Sequence, residues 1–318
     1  MSALLKADQP GLQLSSATGQ GLFERTVPRT LVHRAAISEV LLTGIHSTGE
    51  HRHRIGAQWS RGHSYYGAVA GRWHDSMLLA ETIRQAGLLI GHEVLGIPIG
   101  QSFVSKSTSF TITETGARLR EGPAHVTLDV TVHDVVRRRE QVTAYAYDVT
   151  VHRDGEPIGT GSTDAQIITP AVYRRLRGDR LGARPSSRIA KGIRPELVGR
   201  TRESDVVLGA EAVNEVRALR ADPEHPVLFD HPVDHLPGMV AMEAARQAAL
   251  AALRCPDALL LACDAEFRKY IEFDSPCLVS VLNPESRPDG RHTAVVEFHQ
   301  SGEVAAVCRV TLQDGVES

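Results

Sequence analysis

One pattern occurs twice in this chain, and the repetition constrains the fold more than any other feature. Leu78-Leu79-Ala80-Glu81-Thr82-Ile83-Arg84-Gln85-Ala86 and Val240-Ala241-Met242-Glu243-Ala244-Ala245-Arg246-Gln247-Ala248 both read Glu, two residues, Arg, Gln, Ala. Their offset is 162 residues, close to half of the 318. A His-bearing, Gly-containing stretch precedes each copy: Arg61 to Gly71, with His63, and Asp230 to Gly238, with His231 and His235. The same order of motif, helix and strands in both halves points to duplication, and the length suits two domains.

Met77 to His92 and Met239 to Leu253 are apolar nearly all round, the mark of buried helices. Period-two alternation follows each one. Val126, Leu128, Val130 and Val132 mark one strand, Val142 to Val149 the next, and Asp154-Gly155 turns the chain toward Ile158 and Ile168. In the second half Leu278 to Leu282, His292 to His299 and Val304 to Leu312 repeat the scheme, with Asp289-Gly290 and Ser301-Gly302 as turns. Ile37 to Leu42, Ile55 to Trp59 and Val206 to Val213 supply strand material ahead of the helices. The expected class is α+β: two tandem units, each a curled antiparallel sheet wrapped around a central apolar helix, paired within one chain as a pseudo-dimer. That pairing leaves a monomer or a homodimer open. The expected divisions are a flexible tail over 1–30, a first unit over 31–180, a basic linker over 181–202 and a second unit over 203–318. The Arg-rich stretch from Arg174 to Arg202 reads either as a solvated connector or as a docking surface for an acidic partner. His51, His53 and Arg54 read as a solvated charged loop.

Composition removes several function classes. Hydrophobic residues make up 42% and charged residues 23%, which excludes a disordered chain. The net charge of −3 and an aromatic fraction of 5% argue against nucleic-acid binding. No apolar run reaches a membrane span, and the first residues lack the apolar core of a signal peptide. A cytoplasmic location with reduced thiols is expected for Cys255, Cys263, Cys277 and Cys308, whose spacing fits no zinc pattern. The His residues show no ligand spacing and no phosphate-binding Gly-rich loop follows a strand, so neither a metal nor a cofactor is expected. Ser64 lacks the context of a serine nucleophile.

Asp234-His235-Leu236-Pro237-Gly238-Met239, followed by Glu243 through Ala248, resembles the active-site helix of hot-dog-fold dehydratases. The chain as a whole, from about residue 30 onward, resembles the A-factor biosynthesis (AfsA-like) family of γ-butyrolactone signalling. That resemblance rests on Val32-His33-Arg34, His63-Ser64-Tyr65-Tyr66, Leu79 to Gln85, Tyr173 to Asp179, Asp205 to Leu208, His225 to Phe229, Asp234 to Ala248, and Phe267 to Tyr270 with Glu272 to Cys277. Two departures, Val233 for the usual Asn and Ser64-Tyr65-Tyr66 for Pro-Phe-Phe, bear on acyl or acceptor preference. The resemblance implies two tandem hot-dog domains and an acyltransferase. Such an enzyme joins a β-ketoacyl group from an acyl carrier protein thioester to the primary hydroxyl of dihydroxyacetone phosphate, toward a butyrolactone, butenolide or furan signal.

That reaction needs a base, a site for an oxyanion and an anchor for phosphate. Glu81 and Glu243 are the candidate bases, on the expectation that burial raises their pKa, and Arg246 and His63 are placed beside them as catalytic candidates. In tandem hot-dog proteins one site often decays, so at most one Glu need act, and Glu81 is the preferred one. Gly238, opening the second helix, offers backbone N–H groups to an oxyanion. Arg84 and Arg246 present planar forks for a phosphate or carboxylate. Gln85, Gln247, His231, Asp234 and His235 complete the substrate-binding set. The structural alternative for each Glu–Arg pair is a plain ion pair, and for His231 a turn. A dehydratase or thioesterase of the same fold is the first rival function. A non-catalytic ligand-binding regulator is the second, weakened because an idle pocket would be more stable if apolar.

Overall fold

A computed structural model describes residues 19–186 and 189–315. The first half contains β1 (Leu42–Ser47), β2 (Arg52–Trp59), helix α1 (Met77–Leu89), β3 (Ser102–Val104), β4 (Ser107–Ile112), the short α2 (Glu114–Ala117), β5 (Ala124–Arg138), β6 (Gln141–Arg153) and β7 (Glu156–Ile168). Helix α3 (Pro170–Arg177) leads into the second half: β8 (Leu208–Val213), β9 (Val216–Leu219), α4 (Gly238–Leu253), β10 (Leu259–Phe267), β11 (Leu278–Ser286), β12 (Arg291–Gln300) and β13 (Glu303–Gln313).

All of these strands belong to one antiparallel sheet ordered β1-β2-β5-β6-β7-β4-β10-β13-β12-β11-β9-β8, with β3 paired to β7. Outward from the centre, the order β4-β7-β6-β5-β2-β1 matches β10-β13-β12-β11-β9-β8 strand for strand. The halves therefore join at the β4–β10 ladder, where Phe110 faces Cys263 and Thr108 faces Ala265. Each helix lies against its own half, α1 on β1, β2, β4 and β7 and α4 on β10 to β13. The expected pair of sheet-wrapped helices on one continuous surface is the architecture observed.

Local chemistry explains the elements. On β5, Val126, Leu128, Val130 and Val132 are buried while their neighbours are not, as the pleat requires. Asp154 and Gly155, with φ of 54° and 84°, close the β6–β7 hairpin, and Ser301 and Gly302, at 52° and 80°, close β12–β13. Both are the primed turn type that suits strand twist. Glu81 is buried along with nearly every residue of α1, and Glu243 along with the run from Val240 to Leu250 in α4.

Four expectations change. Ile37–Glu39 forms a 3₁₀ turn and β1 begins only at Leu42. The seam strands β4 and β10 are not foreseen, because β4 (Ser-Thr-Ser-Phe-Thr-Ile) is largely polar and its strand character comes from neighbours on both sides. Residues 19–30 are not a loose tail: Phe23 stacks on His125, ring centroids 4.7 Å apart, and Val27 N–H donates to the Leu42 carbonyl at 3.0 Å. Residues 1–18 lie outside the described residues. His53 is buried in β2 rather than solvated, because β1 and β5 flank that strand. All four cysteines are free and buried, and among the described residues no helix is long and apolar enough to cross a membrane.

Gly159 on β7 tests the packing beside the seam. A Cβ there would sit 2.2 Å from the Thr111 carbonyl oxygen, a backbone atom that cannot swing aside. Gly159→Ala is expected to lower stability by about 2 kcal/mol or more through overpacking, read as a shifted urea midpoint at unchanged m.

Candidate active site

The two Glu residues sit at the centres of two matching buried clusters. Glu81 Oε1 accepts from Arg34 Nε at 3.0 Å, Arg84 Nη2 at 2.8 Å and Gln85 Nε2 at 2.7 Å, while Oε2 accepts from Arg84 Nε at 2.9 Å. Glu243 Oε1 accepts from Arg200 Nε at 3.1 Å, Arg246 Nη2 at 2.7 Å and Gln247 Nε2 at 2.5 Å, while Oε2 accepts from Arg246 Nε at 2.9 Å. Each Gln also bridges to backbone: Gln85 to Leu41 N–H and the Glu39 carbonyl, Gln247 to Val207 N–H and the Asp205 carbonyl. Arg34 and Arg200 thus occupy equivalent positions 166 residues apart, although neither stands out as repeated in the sequence.

This geometry overturns the expected electrostatics of the carboxylates. Burial alone would raise both pKa values, but Arg34 and Arg84 outweigh it at Glu81, and Arg200 and Arg246 at Glu243. Both carboxyls are held at about 2. Near neutral pH they are anions that fix two guanidiniums each, and poor proton acceptors. The basic stretch is corrected as well. Arg200 lies buried against Glu243, and Arg177 lies buried between Asp234 and Glu272, so neither is solvated.

His63 also moves. It does not line the cavity described below. Its Nδ1 accepts from the Tyr65 and Tyr66 N–H groups at 3.1 Å, and its Nε2 lies 3.4 Å from Glu39. His225 does the same 162 residues later, accepting from Val227 and Leu228 N–H and lying 3.4 Å from Asp205. His225, not His231, is therefore the structural counterpart of His63, and both hold a loop in place.

The clusters differ in access. A cavity of about 490 Å³ lies between the halves, and Arg34, Arg84, His231, His235 and Gly238 all line it. Its interior is apolar, with Leu88, Tyr145, Tyr147, Ala241 and Met242 among the walls. Behind this cavity sits the Glu81 cluster, whose Arg84 side chain is 30% exposed, whereas that of Arg246 is 3% exposed. The helix start facing each cluster differs too. Gly238 and Met239, the first two residues of α4, line the cavity, and among the described residues their N–H groups have no hydrogen-bond partner. At α1 the equivalent Met77 N–H is taken by Asp75 Oδ1 at 2.9 Å. Asp75 in turn lies 3.3 Å from Arg200, over which the Tyr65 ring is stacked. One pseudo-equivalent site is open and the other is closed by its own side chains. Glu243, Arg246, Gln247 and Gln85 do not reach the cavity.

Sequence reasoning grouped Asp234 with His235 but missed what holds them. Asp234 Oδ1 lies 2.8 Å from His235 Nδ1 and accepts from Tyr173 Oη at 2.5 Å, while Arg177 Nε reaches Oδ2 at 3.1 Å. An ionised Asp accepts the Nδ1 proton, which leaves His235 Nε2 as a lone pair. Burial lowers the His235 pKa against the pull of Asp234, so the ring is neutral near pH 7. The one group of three or more potential metal ligands among the described residues is Cys255, His292 and Asp314, whose ligand atoms lie within 4.8 Å of one another beyond the far end of α4.

The buried carboxylates predict an acid-side loss of stability. A group depressed on folding contributes stability above its unfolded pKa of about 4.5, and the contribution disappears as pH falls toward about 2. Glu243→Gln should cost about 3–5 kcal/mol at pH 7, because Arg200 and Arg246 lose their counter-charge. It should also flatten the slope of stability against pH below 4.5, measured by denaturation at a series of pH values.

The family model for the A-factor biosynthesis hotdog domain matches residues 17–169 and 183–313. The 2-oxo-3-(phosphooxy)propyl 3-oxoalkanoate synthase of Streptomyces virginiae is 40% identical over 292 residues, covering 92% of this chain and 99% of that one. The Streptomyces coelicolor protein of the same name is 32% identical, covering 91% and 93%. Among solved structures, a putative oleoyl thioesterase from Lactobacillus plantarum shares the fold, with a TM-score of 0.52 at 12% identity, covering 84% of this chain and 97% of that one. The matched residues span both halves of the sheet, and the chain belongs to the A-factor biosynthesis hotdog family.

Proposed function

We propose that this protein transfers a β-ketoacyl group from an acyl-carrier thioester to the primary hydroxyl of dihydroxyacetone phosphate. The observation that carries the reading is the open site, where two unpaired helix-start amides, a carboxylate-held histidine and a partly exposed arginine meet one largely apolar cavity. The name of the relatives, an oxoalkanoate ester of a phosphooxypropyl unit, agrees with such a product.

The acyl chain lies along the apolar wall formed by Leu88, Ala241 and Met242. Gly238 and Met239 N–H point to where the thioester oxygen becomes an oxyanion, and the α4 dipole adds to them. His235 Nε2 takes the proton as the hydroxyl oxygen attacks the thioester carbon, and Asp234 stabilises the resulting imidazolium. Collapse of the tetrahedral intermediate breaks the C–S bond, and the departing thiolate recovers the proton from His235. Arg84, backed by Glu81, supplies a cation for the phosphate. In this reading Glu81 and Glu243 position arginines and move no proton. The exposed Arg174 and Arg175 on α3, with Arg184 at a neighbouring cleft, suit an acidic carrier protein presenting its thioester. The division into units at 31–180 and 203–318 is kept, with the connecting stretch contributing Arg200 to the second unit's cluster.

A thioesterase would activate water at the same place, so the assay must see both products. With a β-ketoacyl thioester and dihydroxyacetone phosphate, mass spectrometry is expected to show an ester requiring both substrates. Free β-keto acid formed at the same rate without the acceptor would sink the transferase reading. His235→Gln should lower kcat by about 10²-fold or more with the fold intact, whereas Glu243→Gln should act on stability.

A further inference from the structure

His33 was not among the expected site residues, yet it lines both the main cavity and the neighbouring cleft. It ends the 3₁₀ turn Arg29–Val32 with a left-handed backbone, φ 51° and ψ 52°, which residues with a Cβ rarely adopt. Its Nε2 lies 2.9 Å from His92 Nε2, and His92 Nδ1 lies 2.7 Å from the Ile97 carbonyl. A carbonyl only accepts, so His92 carries its proton on Nδ1 and receives at Nε2. His33 then donates through Nε2, and its Nδ1 is left as an acceptor with no partner among the described residues. Phe103 packs edge-on against both rings, at 5.4 and 5.1 Å.

Around this imidazole cationic side chains outnumber carboxylates. Arg84 and Arg34 line the same cavity from α1 and the turn before β1, and His231, its side chain 44% exposed, lines it from the loop before α4. Lys106, Arg268 and Lys269 stand on the β4–β10 side of the cavity, the last two paired with Glu266 and Glu303. Two carboxylates also line the cavity: Asp230 accepts from Ala35 N–H at 2.6 Å and Ala36 N–H at 3.0 Å and lies 3.6 Å from His231, and Asp164 accepts from the Lys106 and Ser107 N–H groups at 2.9 Å on the β4 side. Glu81 is already shared by Arg34 and Arg84.

We propose that His33, His231 and Arg84 form the phosphate subsite of the acceptor, and that the imidazoles take up protons as the phosphate dianion enters. The inference rests on the acceptor being a phosphomonoester. Without an anion, burial, the neighbouring His92 and His231 rings and the Arg84 guanidinium keep His33 neutral, with its pKa down at about 4. Burial, Arg84 and Arg34 likewise lower His231, against the opposite pull of Asp230. A dianion reverses the sign of that local field and favours the charged form of each ring. A protonated His33 would donate to the phosphate through Nδ1 while keeping its Nε2–H on His92. Its neutral resting state avoids a buried, unpaired cation in the empty cavity.

Calorimetric titration of the intact protein with dihydroxyacetone phosphate at pH 7.5, in two buffers of different ionisation heat, tests this directly. At that pH the phosphate is already largely a dianion, its second pKa being about 6. The expected result is net uptake of about half a proton or more per site, with binding weakening as pH rises to 8.5. His33→Gln keeps a polar side chain that cannot be protonated, and should remove at least half of the uptake and weaken binding about tenfold or more. His231→Gln, the second variant, should lower uptake as well. Uptake indistinguishable from zero, uptake unchanged in both variants, no binding at millimolar ligand, or equal affinity for phosphate-free dihydroxyacetone would each overturn the subsite. Proton uptake without ester formation in the mass-spectrometric assay would instead remove the transferase reading and leave the subsite standing.

Discussion

Two carboxylates buried inside two apolar helices set the terms for everything around them. An ionised Glu in such a place is tolerable only with cations and hydrogen-bond donors on both oxygens. Glu81 and Glu243 meet that demand with the same donor set, two arginines and a glutamine. Each second arginine comes from outside the helix, so each cluster ties its helix to a distant segment. Arg34 also reaches the Val227 carbonyl, and Arg200 the Tyr65 carbonyl. The clusters therefore reach from one half of the sheet into the other, and the interface between the halves is ionic as well as apolar.

Duplication with one copy closed explains why the cavity between the halves is lined by arginine from the Glu81 cluster and not from the Glu243 cluster. Both clusters keep their geometry because both are needed to hold the halves together. Only one helix start remains free. Asp75 caps α1, whereas Pro237, its counterpart, leaves the first amides of α4 bare. The Tyr65 ring packs over Arg200, whereas its counterpart Arg34 lines the open cavity. Structural need thus preserves the pattern twice, and the closure of one copy is recorded in the residues around the pattern.

The electrostatics of the open site follow from the same frame. Burial, joined by the arginines that neutralise Glu81, lowers the pKa of both His33 and His231. His235 lies beyond that group and takes its orientation from Asp234, itself held by Tyr173 and Arg177. The stretch between the halves is not a passive tether: Arg177 supports the open site and Arg200 completes the closed one.

The repeat, the two apolar helices and the alternating strands were legible in the sequence, because helix and strand periods are local properties that a chain writes into neighbouring residues. So was the pairing of the halves, since an apolar helix with a one-sided sheet needs a covering partner. What each charged residue does was not legible. Whether burial or a counter-charge fixes a carboxyl's pKa depends on residues far away in the chain, such as Arg34 for Glu81, and the balance fell opposite to the local expectation. The likeness of His63 to His225, the capping of α1 by Asp75 and the meeting of His33 with His92 likewise depend on three-dimensional distance. Sequence by itself determined which elements form and that they form twice. Tertiary structure alone decided which copy is open and which groups face its cavity, because charge and access are set by neighbours in space rather than in the chain.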